Sequence, residues 1–132
     1  MKHMFYLILI FSFATAILSA QKKKSVQTEK PKVTFVELGS VNCIPCKKMQ
    51  PVMKSIEAKY SSQVKVLFYD VWKEEQKSYA IQYGIRLIPT QVFLDENGKE
   101  FFRHEGFFAE NQIDKLLQSK GLQIIPAKEQ EL

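Results

Sequence analysis

Cysteine and histidine are scarce in this 132-residue chain, two of each, and tryptophan occurs once. A structural zinc site needs four ligands, and there is no second cysteine pair beside Cys43 and Cys46. The histidines are His3, near the start, and His104, far downstream, so no metal is expected. Two cysteines also rule out a disulfide framework of the kind that holds small secreted domains together. No internal repeat is visible. Charge of one sign does not dominate either. Nineteen basic residues face 14 acidic ones for a formal +5, and much of the excess precedes Val33. Nucleic-acid binding is therefore not read from charge, whose expected effects are solubility and weak attraction to anionic surfaces.

One long hydrophobic run is present, and it stands at the start. Lys2 precedes the apolar stretch Met4 to Leu18, and Leu18-Ser19-Ala20 comes before Gln21. This is the outline of a secretory signal peptide over residues 1–20, with cleavage expected after Ala20. An uncleaved membrane anchor is the alternative, but the run is at the lower limit for a span, and Lys22, Lys23 and Lys24 lie on its far side. The expected location is outside the cytoplasm, in a periplasm or equivalent space. Residues 21–32 hold five lysines among polar residues and read as a tether. One compact domain follows over 33–122, and residues 123–132 read as a C-terminal tail, frayed from Pro126.

Within the domain, Val33 to Leu38 is a β-rich run apolar on both faces, as in a central strand covered on both sides. Met49, Val52, Met53, Ile56 and Tyr60 recur at intervals of three and four, which predicts an amphipathic helix over 46–60 with a kink at Pro51. A strand over 64–71, a helix from about 74 to 83 stopped by Gly84, and strands over 90–94 and 100–104 joined through Asn97-Gly98 come next. A last helix spans about 109–120. The order is βαβαββα, an α/β fold with a central mixed sheet flanked by helices.

Cys43-Ile44-Pro45-Cys46 stands where the first strand gives way to the first helix. Residues i and i+3 of a helix lie about 5 to 6 Å apart at Cβ, close enough for a small adjustment to bring the sulfurs into bonding range. A thiol at a helix N-terminus faces unpaired N–H groups and the positive end of the macrodipole, both of which favour thiolate. Cys43 is then expected as the exposed, attacking thiol and Cys46 as its resolving partner. A purely structural disulfide would close so short a loop that it would remove little chain entropy. A dithiol/disulfide redox site is the preferred reading.

Several points in order resemble the thioredoxin family: Glu37 six residues before Cys43, the Cys43-Ile44-Pro45-Cys46-Lys47 loop, Pro51, the segment Tyr83 to Thr90 around Pro89, and Gly98 and Gly106. The resemblance implies a thioredoxin fold and a cis peptide at Ile88-Pro89. There are departures. Asn42 replaces the usual tryptophan, Ile44 the usual glycine, and Val66 the lysine that pairs with the buried acid. With the leader, these place the chain nearer exported thioredoxin-like proteins of envelope thiol reduction and cytochrome c maturation than cytosolic thioredoxins. The implied activity is reduction of protein disulfides through Cys43 and Cys46, with no cofactor beyond that pair. Clients would be disulfide-bearing proteins, apocytochrome c among them, and a membrane thiol-transfer protein would supply electrons to a monomer. A disulfide-donating oxidase or isomerase, or a binding module with a structural disulfide, are the competing readings.

Glu37 interrupts a buried run. Either burial raises its pKa, so that it exchanges a proton with Cys46 through a water, or its chain reaches solvent at the strand end. Ile44, Pro45, Ile88, Pro89, Gly106 and Phe107 are the candidate client-binding positions. The Ile88 backbone would pair with an extended client strand while Pro89 keeps that edge open. Lys47 and Lys48 read as a solvated face. Phe101, Phe102 and Phe108 read as core or edge packing, as do Tyr69 and Trp72, and His104 has no evident partner.

Overall fold

The computed structural model describes residues 30–126, so the leader, most of the tether and the end of the tail lie outside the described residues. Four strands, β1 (Val33–Gly39), β2 (Val64–Asp70), β3 (Thr90–Asp95) and β4 (Glu100–Glu105), form one sheet in the order β2-β1-β3-β4. β1 runs parallel to β2 and antiparallel to β3, and β3 is antiparallel to β4. Helices α1 (Ile44–Tyr60), α2 (Ser78–Gln82) and α3 (Glu110–Ser119) complete the order βαβαββα.

β1 is central, which explains its lack of alternation: both faces are covered. Phe35 stacks on Phe93 of β3, with ring centroids 4.7 Å apart. Around them pack Met49, Val52, Met53, Ile56 and Tyr60 of α1 and Ile113 and Leu117 of α3. The opposite face carries Val36, Leu38, Val71 and Val92, covered by Tyr79 and Tyr83. The periodicity of α1 is thus the periodicity of its buried stripe. α1 is fastened to α3 at its C-terminal half, where Lys59 donates to Asp114 at 2.7 Å and Ser55 to Glu110 at 2.6 Å. It runs through Pro51 without a break.

One helix differs from expectation. α2 spans five residues rather than the predicted 74–83. The chain before it forms turns instead, because the Gln76 side chain is drawn back to accept the N–H of Asp70 at 2.7 Å and the N–H of Gln76 closes a tight turn on the carbonyl of Lys73. At the other end, Gln123 and Ile125 are tied down: Gln63 Nε2 donates to the carbonyl of Gln123 at 2.7 Å, and the N–H of Ile125 donates to Lys59 at 2.8 Å.

Candidate active site

The sheet ends at Gly39, and the next four residues turn the chain into α1 with Cys43 at its N-cap, in extended geometry (φ −92°, ψ 124°). The Cys43 N–H donates to the Ser40 carbonyl at 3.2 Å, and its own carbonyl accepts from Lys47 at 3.0 Å. An N-cap side chain ordinarily reaches the second or third N–H of the helix. The second residue is Pro45, which has none, so the N–H of Cys46 is the one such donor left facing Cys43. Cys43 and Cys46 are joined as a disulfide with Cα atoms 5.2 Å apart.

Cys46 is fully buried, and Cys43 is only 8% exposed, less than its expected role as the open thiol suggested. Its sulfur is turned inward to its partner, and the loop before it is held down. Asp70, at the end of β2, does this: Oδ2 accepts from the N–H of Val41 at 3.3 Å, while Oδ1 accepts from Trp72 at 3.2 Å. Burial raises the Asp70 pKa, but these N–H donors, Ser40 and nearby Lys73 outweigh it and hold the carboxyl below its ordinary value. Ile44 and Pro45 are exposed beside the disulfide, as are Lys47 and Lys48.

Gly39 admits the second sulfur. A Cβ on this residue would stand 3.2 Å from Cβ and 3.3 Å from Sγ of Cys46, and 3.3 Å from the Phe68 ring. Alternate residues of a strand share a face, so Glu37 lies on the same side of β1, one step behind Cys46. It is fully buried, and neither carboxyl oxygen has a hydrogen-bond partner, so the solvent-reaching alternative does not occur. Burial pushes its pKa up to about 8; the Gln91 amide opposes the shift but is not in hydrogen-bonding geometry with it.

Extending the β1–β3 register by one residue sets Pro89 opposite Gly39. The Ile88–Pro89 peptide is cis. Pro89 is buried, its carbonyl accepts from the Gly106 N–H at 2.8 Å, and the Thr90 hydroxyl donates to Leu87 at 2.7 Å. Among the described residues no hydrogen bond occupies the Ile88 backbone. Gly106 takes φ +89°, a conformation suited to glycine, and is followed by Phe107, which is 47% exposed. The sheet thus brings Cys43, Cys46, Ile44, Pro45, Ile88, Pro89, Gly106 and Phe107 to one end, with Glu37 beneath.

Trp72 does not pack as expected but is 62% exposed. Val71 donates to Gly39 and turns inward while the Trp72 N–H is drawn to Asp70, which leaves the indole facing out. His104 does have partners: its ring stacks on Phe108 at 4.3 Å, and Nε2 lies 3.2 Å from the Phe107 carbonyl. Sequence reasoning missed Gly39, Asp70 and Gln91. Gln91 carried a signal, since it is polar in an otherwise apolar strand, the same feature that singled out Glu37.

A family model described as a thioredoxin-like domain matches residues 18–121. Thioredoxin 1 of Synechococcus elongatus is 40% identical over 85 residues, 64% of this chain and 77% of that one. Thioredoxin-1 of Drosophila melanogaster is 36% identical over 74 residues, 56% and 67% of the two chains. The crystal structure of the germline-specific thioredoxin Deadhead from Drosophila melanogaster superposes with a TM-score of 0.58 at 29% identity, covering 70% of this chain and 83% of that one. Thioredoxin from Halobacterium salinarum shares the fold with a TM-score of 0.59. With its Cys43–Cys46 pair at the head of α1, this chain belongs to the thioredoxin-like family and is a thiol–disulfide oxidoreductase.

Proposed function

We propose that the domain works outside the cytoplasm as a reductase of protein disulfides, with Cys43 as nucleophile and Cys46 as resolving thiol. The Cys43 thiolate attacks a client disulfide; a Cys43–client bond forms, and the displaced client sulfur leaves as thiolate and takes up a proton. Cys46 then loses its proton to Glu37 and attacks Cys43. The intramolecular disulfide forms, the client departs as a dithiol, and two electrons have moved from protein to client. A membrane thiol-transfer protein restores the dithiol, and apocytochrome c is one client of suitable chemistry. The open Ile88 backbone receives the client segment, flanked by Ile44, Pro45, Gly106 and Phe107.

The observation that carries the direction is that Asn42, Ile44 and Pro45, the chain neighbours of Cys43, carry no charge, while Lys47 and Lys48 face solvent. Ile44 and Pro45 separate the two sulfurs, and the helix N-terminus is the main support for the Cys43 thiolate. A helix N-terminus alone favours a thiolate only moderately and leaves the dithiol less stabilised than in strong oxidants. Equilibration of the pair against glutathione or dithiothreitol tests this. The expected potential lies nearer about −270 mV than about −120 mV, and a value above about −160 mV would replace the reductase with a disulfide donor.

A further inference from the structure

Gln91 is fully buried in β3, and neither its Oε1 nor its Nε2 has a hydrogen-bond partner. Buried amides are rarely left so, because each unpaired polar atom costs free energy. The other buried polar side chains behave normally: Ser40 accepts from Asn42, Asp70 from Val41 and Trp72, and Thr90 donates to Leu87. Gln91 stands directly opposite Glu37 in the β1–β3 register, and both Glu37 oxygens are unpartnered too. Four unsatisfied polar atoms therefore meet in one cross-strand pair, whose Cβ atoms such pairing holds about 5 Å apart.

One other buried side-chain atom without a partner among the described residues, Nε2 of Gln50 on α1, stands one helical turn beyond Cys46. From β2, Phe68 stands opposite Glu37. From α1 comes Cys46, seated on Gly39, while Lys47 and Lys48 face solvent. The carboxylates of α3, Glu110 and Asp114, are engaged by Ser55 and Lys59. From β4, His104 stands opposite Gln91, with its ring on Phe108 and Nε2 at the Phe107 carbonyl.

A neutral amide can serve a carboxyl in both of its states. It offers an N–H to the carboxylate and a carbonyl to the acid. We propose that Gln91 is a positioning residue that sets the ionisation of Glu37, donating from Nε2 to the carboxylate and accepting at Oε1 from the protonated acid. An amide in place of a cation there lets Glu37 alternate between states without a fixed charge favouring one of them. This rests on the proton role given to Glu37 above.

The test uses the oxidised protein, in which no thiol titrates, with the Glu37 carboxyl carbon and the Gln91 side-chain amide followed by NMR across pH. The two should titrate with one midpoint, and His104→Phe should leave that agreement in place. Gln91→Met, close in shape but without donor or acceptor, should move the Glu37 midpoint up by about one pH unit, because the bond lost by the carboxylate is stronger than the one lost by the acid. A Gln91 amide that stays flat through the Glu37 titration in the parent protein overturns the proposal even if the variant does not fold. So does a folded Gln91→Met with an unmoved midpoint. If carboxyl and amide titrate together while the resolving rate ignores both, the pairing stands and the proton role of Glu37 falls.

Discussion

Glu37 ties the ionisation of a buried carboxyl to the stability of the domain. Its pKa is about 8 in the fold against an ordinary 4.5, with burial as the main cause. Between those values the folded protein holds a proton that the unfolded chain has lost, so the contribution of Glu37 to stability is fully present below about pH 4.5 and falls as pH rises, by about 1.4 kcal/mol per unit. The loss is complete above about pH 8 and amounts to roughly 3 to 5 kcal/mol. Glu37→Gln should abolish this slope and be more stable than the parent at pH 8.5, as urea titrations at pH 5 and pH 8.5 would show. The same substitution should slow the resolving step by no more than about 10² to 10⁴. At the thiols themselves, Cys46→Ser should accumulate client adducts through Cys43 on non-reducing gels, because attack survives and resolution does not. Adducts found only in Cys43→Ser would exchange the two roles. Cys43 and Cys46 were legible in the sequence through their spacing at the strand-to-helix junction, and Glu37 because it interrupts an apolar run. Gln91 breaks its pattern in the same way, but its meaning depends on which residue faces it, and cross-strand register was not part of the sequence reading.

The junction of β1 with α1 shows what one element demands of another. Glycine in a strand ordinarily weakens it, by about 0.5 to 1 kcal/mol relative to alanine. At Gly39 that preference is reversed by contact. An added Cβ would press on Cβ and Sγ of Cys46 and on the Phe68 ring, all within 3.3 Å. Overpacking of this kind costs about 1 to 3 kcal/mol. The disulfide tethers the Cys46 sulfur, whereas a free thiol can turn away, so Gly39→Ala should destabilise the oxidised form more than the reduced one. The consequence is a more oxidising potential, read by glutathione equilibration; an unchanged potential would show that the junction relaxes equally in both forms, and a lower one that the reduced form bears the greater strain. Elements with strong periodicity, such as β1 and α1, were readable because burial repeats along them. α2 was not, since its start depends on Gln76 reaching back to β2, a contact that no local pattern announces. The placement of Trp72 failed for a related reason: its exposure is set by Asp70, which binds Val41 and Trp72 at once.

At the scale of the whole molecule, the direction of electron flow is a statement about which redox form folds more stably. A strong oxidant has a reduced form that is stabilised, so that its disulfide is readily given away. Here the stabilising contribution open to a Cys43 thiolate is the start of α1 with the single N–H of Cys46, because Pro45 removes the neighbouring donor. Below the sulfurs, Glu37 and Gln91 supply an acid and an amide rather than a cation. Reduction also opens a loop of only four residues, so the chain entropy it returns to the unfolded state is small. The oxidised domain should therefore be as stable as the reduced one or more so, with similar steepness in urea because both forms bury the same core. Paired denaturation curves with and without dithiothreitol at pH 7 check this. A reduced form more stable by several kcal/mol would place the chain with the disulfide donors, and the surface proposed to receive clients at Ile88, Pro89 and Phe107 would then serve to deliver oxidising equivalents.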